Sequence, residues 1–256
     1  PEPTKIKREN FYSALKDGDF KEVVEDLYDK AHYQPRYKLV IISLLRALKR
    51  YHFNPFRYMR FLYYNVFCKN VKVDLATSLF LVWDTVKLDI AKGSSIEVKG
   101  ICTLGQAKGH QGVIKMEENS HLILDTVSTE DSSVDISVGV GAEVNIGYRT
   151  IIGEGVFISS NQKIKIGEIS YIGRNSIVTD NNSMVLMSDE NEIMVEPTDL
   201  GAHCLIGEYA IVSKGSHLGD EVVVESHSKV GGVIPPRVVV SGNPATIVKN
   251  NILWKK

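Results

Sequence analysis

Aliphatic side chains recur at every sixth residue through the second half of this chain. The series runs Val134, Val140, Ile146, Ile152 and Ile158, slips by two residues to Ile166, Ile172 and Val178, and resumes at Leu200, Ile206, Val212, Leu218, Val224 and Val230. Glycine follows many of them, as at Gly147, Gly153, Gly167, Gly173, Gly201, Gly207 and Gly219. An amphipathic helix repeats every ~3.6 residues and a half-buried strand every second residue, and neither period fits. A period of six fits a parallel β-helix. Each hexapeptide supplies one short strand and one corner, and three of them close a triangular coil of about 18 residues. The aliphatic residue points into the prism and stacks on its equivalents above and below. No coil can bury that residue alone, so stability comes from stacking. Glycine at the corners would supply permissive dihedrals.

The flanks read differently. Residues 1–72 are predicted to be helical, with Leu39, Ile42, Leu45 and Leu48 on one stripe and Asn54-Pro55 as the start of a further helix ending near Phe67. Residues 73–133 carry a degenerate pattern and read as irregular coils joining the helices to the prism. Residues 134–245 form the repeat itself, broken by an excursion loop at 185–199, and 246–256 are a tail or terminal helix. The fold class is therefore mainly β, with a helical region before it.

Of the 256 residues, 43 % are apolar and 24 % charged, as expected of a soluble globular protein. No opening basic and apolar run marks a signal peptide. Three widely spaced cysteines (Cys68, Cys102, Cys204) give no disulfide framework or metal-ligand spacing, so a cytoplasmic location is expected. A net charge of −1 conceals an asymmetry, because residues 32–72 hold nine Lys and Arg, no Asp or Glu, and ten aromatics. Such a stretch is either a helical cap with solvated cations or a contact for phosphates, of a phosphorylated acceptor or of lipid headgroups at a membrane surface. No nucleic-acid motif accompanies it, and no nucleic-acid partner is expected.

The repeat block through Asp180, the segment from Leu200 to Gly207 and the tail Ser241-Gly242-Asn243-Pro244-Ala245 resemble the hexapeptide-repeat acyltransferases, in particular the bacterial O-acetyltransferases of sugars and polysaccharides. The resemblance implies a left-handed β-helix, a homotrimer, and acetyl-CoA bound between neighbouring prisms. It implies as acceptor a hydroxyl of a glycan or lipid-linked sugar. It also implies a histidine as general base for the attack of that hydroxyl on the thioester. Carried over by position, Asp180 keeps an acidic place, Asn182 stands where a second Asp is common, and Met184 stands where the histidine belongs. A thioether takes no proton at neutral pH. Either another base serves, or the chain is a catalytically silent trimeric scaffold.

Replacement bases are the excursion carboxylates Asp189, Glu190, Glu192, Glu196 and Asp199, and His203 within a repeat; His217 and His227 sit near later corners. The resemblance places coenzyme A contacts at Ala210, Ser226 and Ser228 and at the turn Gly242, Asn243, Pro244. Lys229, Arg237 or Lys249 replace a lysine that relatives carry where this chain has Gly231-Gly232. Small residues at corners would equally explain the two serines. No three histidines fall at converging positions, and no metal is expected.

Overall fold

The computed structural model describes residues 55–75, 77–105, 110–129, 133–182 and 194–254. The helices expected over residues 1–54 and most of the excursion loop lie outside these. Three sheets make up the described β-structure. The first has eight strands, from Val71–Val73 to Val233–Ile234. The second has nine, from Leu79–Val82 to Ala245–Asn250, and the third seven, from Val86–Ile90 to Lys229–Val230. As far as Val238–Gly242 the chain visits the sheets in rotation, so that strands three places apart pair in parallel. That rotation is the β-helix read from the repeat.

The interior is a set of stacked aliphatic columns. Ile146, Ile152, Ile158, Ile172, Val178, Ile206, Val212, Val224 and Val230 are fully buried, each contributing ~1.5–3 kcal/mol of hydrophobic stabilisation. Val140 breaks the expectation, being 66 % exposed. It lies in the turn between strands Val134–Val138 and Glu143–Ile146, and Val138 and Ala142 fill the interior on either side of it.

Among residues 73–133, the described ones form regular strands. Their strands belong to the same three sheets, but the coils are wider. Register partners Ile96 and Leu122 are 26 positions apart, Val144 and Ile164 are 20 apart, and Leu200 and Leu218 are 18 apart. A wide coil has five-residue strands that bury two alternate side chains, as Ile96 and Val98 do in Ser95–Lys99. A narrow coil has two-residue strands that bury one, as Leu205–Ile206 does. The six-residue period disappears wherever strands lengthen, although the architecture continues.

Glycine serves a different purpose from the one expected. Many corner residues in the left-handed region are not glycine: Arg149, Ile169, Asn175, His203, Tyr209, Glu221, His227 and Arg237 all have φ between 54 and 61°. The recurrent glycines instead sit where successive coils touch. A Cβ on Gly173 would lie 2.7 Å from the Ile206 carbonyl oxygen and 2.8 Å from the Glu208 nitrogen.

A helix, Pro55–Leu62, starts at the expected proline and continues as a π-helical turn, Tyr63–Phe67. Asn65 fixes it to the end of the solenoid. Its buried amide donates to the Phe80 carbonyl (2.7 Å) and accepts from the Phe80 N–H (2.9 Å), completing the outermost strand of the second sheet. Phe61 packs on Leu79, Leu81 and Trp83, and Arg60 reaches the Val86 carbonyl. At the other end, where a tail or terminal helix is expected, residues Ala245–Asn250 form a strand. Gly242, at φ +103°, lets the chain reverse, and Ala245–Asn250 pairs antiparallel with Val238–Gly242. This occupies a backbone edge that a helix would leave open.

Candidate functional site

Asp180 ends the strand Ile177–Thr179 at the corner leading from the third sheet to the first, and it is fully buried. Its carboxylate accepts from Ser160 Oγ (2.7 Å), from the backbone N–H groups of Asn161 (2.8 Å), Gln162 (2.9 Å) and Lys163 (2.7 Å), and from Asn181 Nδ2 (3.1 Å). Those bonds cap the corner of the coil below and leave the group no access to a substrate. Asp180 thus acts as a structural cap in this structure. Asn182, just beyond it, donates its backbone N–H to the Met194 carbonyl across the base of the excursion. Met184, Asp189, Glu190 and Glu192 lie outside the described residues.

His203 stands at a different corner, between the first and second sheets. Trp254, in the terminal tail, stacks flat on its ring (centroids 4.2 Å, 4° between planes) and donates Nε1–H to its carbonyl (2.9 Å). Burial holds the imidazole below its ordinary pKa. Glu221 and Arg237 occupy the equivalent place in the next coils, 3.7 Å apart. Burial raises the Glu221 carboxyl, partly offset by that guanidinium. The tail holds His203 in a packed strap.

The positions expected to contact coenzyme A lie at the third corner, between the second and third sheets. Ala210 is fully buried and Ser228 nearly so, with Ser228 Oγ accepting from the Gly242 N–H (3.0 Å). Both side chains are packed into the corner in this structure. Ser226 and the turn Gly242, Asn243, Pro244 are exposed and near one another through that same bond, so they remain able to meet a ligand. Beside them Tyr209 and His227 stack (5.1 Å, 2° between planes). Lys229 and Lys249 are exposed, whereas Arg237 is taken up by Glu221. These surface groups suit a polar, phosphate-bearing donor. Among the described residues, those expected to act together therefore stand at three corners of one prism.

One pairing was not foreseen. Asp199, in the strand Thr198–Leu200 that follows the excursion, is the register partner of His217 in the strand His217–Leu218. His217 Nδ1–H donates to Asp199 Oδ2 at 3.2 Å, with both side chains about half exposed. A carboxylate on Nδ1 fixes the tautomer and leaves Nε2 as the atom that can take a proton. Asp199 is in turn the register partner of Lys165, and Lys165 of Asn145. Asn145 and Lys165 of this column line a groove of about 420 Å³ together with Lys99, Tyr148, Glu168 and Asp220, and Asp199 and His217 lie beside that lining. Amide, carboxylate, ammonium and phenol groups around an open trough can exchange hydrogen bonds with sugar hydroxyls. Only the spacing of 18 between Asp199 and His217, one narrow coil, carried a signal for this pair in the sequence. Of the other described histidines, His121 bonds Ser95 Oγ (3.0 Å) and His227 stacks on Tyr209. Among the described residues no three His, Cys, Asp or Glu side chains converge as a metal site. Burial pushes the Cys102 and Cys204 thiols up to about 12, so neither is a nucleophile.

No family model matches the chain. It is 29 % identical over 116 residues to a protein of Escherichia coli K12 named as the lipopolysaccharide biosynthesis O-acetyl transferase WbbJ, a match covering 40 % of this chain and 59 % of that one. It is 22 % identical over 124 residues to one named as the colanic acid biosynthesis acetyltransferase WcaF of the same organism, covering 46 % of this chain and 68 % of that one. The chain thus spans less than two thirds of the length of WbbJ. Among solved structures, the polySia-specific acetyltransferase NeuO superposes with a TM-score of 0.55 at 21 % identity, over 70 % of this chain and 78 % of that one. With its three-sheet rotation, buried aliphatic columns and these similarities, the chain is a hexapeptide-repeat β-helix, the fold of sugar and polysaccharide O-acetyltransferases.

Proposed function

We propose that this protein is an acetyl-CoA-dependent O-acetyltransferase acting on a sugar hydroxyl of a glycan or polysaccharide, and that His217, oriented by Asp199, is its general base. The observation that carries this reading is the His217–Asp199 pair, which faces outward beside the excursion and next to a polar groove. In the step proposed, Nε2 of His217 takes the hydroxyl proton as the sugar oxygen attacks the thioester carbonyl. The C–S bond then breaks, the acetyl group stays on the sugar, and the coenzyme A sulfur leaves with a proton returned by the imidazolium. The sugar lies along Asn145 and Lys165 in the groove. The donor lies against Ser226 and the Gly242–Pro244 turn of a neighbouring copy.

The reading requires an assembly, because donor and base positions are separated on one prism. The proposed homotrimer draws support from the outward columns of the second and third sheets. Ile151, Leu205 and Val223 line one, and Phe157, Ile177 and Ile211 the other. The Met at position 184 favours a second reading, the silent scaffold. Radiolabelled acetyl transfer to soluble oligosaccharides, run beside calorimetric titration with acetyl-CoA, separates the two. Transfer by the native chain that is lost in His217→Ala supports the enzyme. Coenzyme binding without transfer, with transfer appearing only in Met184→His, leaves the scaffold.

A further inference from the structure

The helix at the solenoid's end has two faces, and the function proposed above uses neither. One is spent on packing: Phe61, Tyr64 and Asn65 engage the outermost strand of the second sheet. The other carries Met59, Leu62, Tyr63, Val66 and Phe67, at spacings of three and four residues, and all five are exposed. Met59 is 67 % and Phe67 68 % exposed, far more than a side chain resting on a neighbour would be. Exposed large apolar residues are ordinary when scattered, but a contiguous stripe marks a contact. Leu75, in the turn after the first strand, is also exposed near the same end of the solenoid.

Charge chooses the partner. Lys69 and Lys72 follow the stripe in sequence and are exposed, and the sequence of 32–72 contains nine cations and no carboxylate, the nearest being Asp74 and, as the register partner of Lys72, Glu97. A second copy bringing the same stripe would bring the same charge, and like charges oppose that pairing. An anionic lipid surface satisfies both features, since acyl chains accept the apolar side chains and headgroup phosphates accept the lysines. The eight-residue helix and its π-helical turn are too short to cross a bilayer, and among the described residues no helix is long and apolar enough to do so. Such an element lies in the interface rather than spanning it.

We propose that the exposed face of Pro55–Phe67, with Lys69 and Lys72, docks this protein peripherally on an anionic membrane, with the end of the β-helix toward the lipid. The acetyl-transfer site would then work on glycans held near that surface, but docking does not depend on it.

The test is co-sedimentation of the full chain with vesicles of phosphatidylcholine containing about 30 % phosphatidylglycerol, against pure phosphatidylcholine. Binding is expected to be ~10-fold stronger to the anionic vesicles and to weaken with added salt. Met59→Ser with Phe67→Ser is expected to cut that binding ~10-fold at unchanged melting temperature, with acetyl transfer to a soluble acceptor unaffected. Lys69→Glu with Lys72→Glu should remove the preference for anionic lipid. Failure of the native chain to bind either vesicle overturns the proposal. So does a serine pair that binds as the native chain does. A serine pair that changes the sedimenting mass identifies a second copy as the occupant. One that melts many degrees lower shows that the face is covered by this chain itself. Both outcomes also overturn it.

Discussion

The outward faces of the prism differ in kind. The first sheet presents a mainly polar column, Lys72, Glu97, Asn145, Lys165, Asp199 and His217, interrupted by Ile123 and ended by Val233. It is laced with ion pairs such as Lys163–Glu143 (3.1 Å). The second and third sheets present mainly aliphatic and aromatic side chains at the equivalent places, Ile151, Tyr171, Leu205 and Val223 on one and Phe157, Ile177 and Ile211, between Asp135 and Lys229, on the other. All three faces share the same interior and the same coil, so inward stability places no demand on what points out. The polar face is free to do chemistry with water and sugars, while the apolar faces suit burial against other copies.

The comparison is most sharply tested on the polar face. His217→Ala is expected to lower acetyl transfer ~10²–10⁴-fold with an unchanged melting temperature, the range for loss of a general base. Asp199→Asn should lose less, since it disturbs only the orientation of the ring. A histidine variant as active as the native chain would return the first sheet to the status of a solvated surface. Asp180→Ala makes the opposite demand. It strips five hydrogen bonds from a buried corner, so urea unfolding should show a loss of about 3–5 kcal/mol. The residue the family resemblance pointed to would then fail in stability, and the one it overlooked would fail in rate.

On the apolar faces, Leu205→Asp or Ile211→Asp should reduce the sedimenting mass, whereas Lys165→Asp on the polar face should leave it unchanged. Equal effects from the two sets would erase the distinction between faces. A smaller effect is expected at the strap. Trp254→Ala removes a stacked ring and a hydrogen bond, at a cost of about 1–2 kcal/mol read from thermal unfolding. The smallest is a pH dependence at His203. Because burial lowers its folded pKa, the unfolded chain takes up a proton that the folded chain refuses as pH falls below ~6.5. Stability is therefore lost on that side and kept above it, and His203→Gln should flatten the slope.

Much of the fold was legible because burial in a narrow coil is local. With one inward residue in every six, a series such as Ile206, Val212 and Leu218, one on each sheet of a coil, announces itself. The early coils hid the same architecture behind longer strands, since Ile96 and Val98 alternate like any half-buried strand. Val140 shows the reverse error: an aliphatic residue can fall in register and still be turned outward at a corner. Site residues were harder to read. Ala210 and Ser228 are small for the sake of the corner, and Asp180 is acidic for the sake of backbone N–H groups one coil below.

The sequence by itself determined the winding of this chain, because the period at which apolar volume recurs leaves three parallel sheets as the way to bury it. Which exposed groups meet was decided only by tertiary structure. Asp199 faces His217 because the coil between them closes in 18 residues, and Ser228 meets Gly242 because the last coils close in fewer. Coil length depends on every corner and bulge along the way, and so the neighbours of a surface side chain are set by the whole turn.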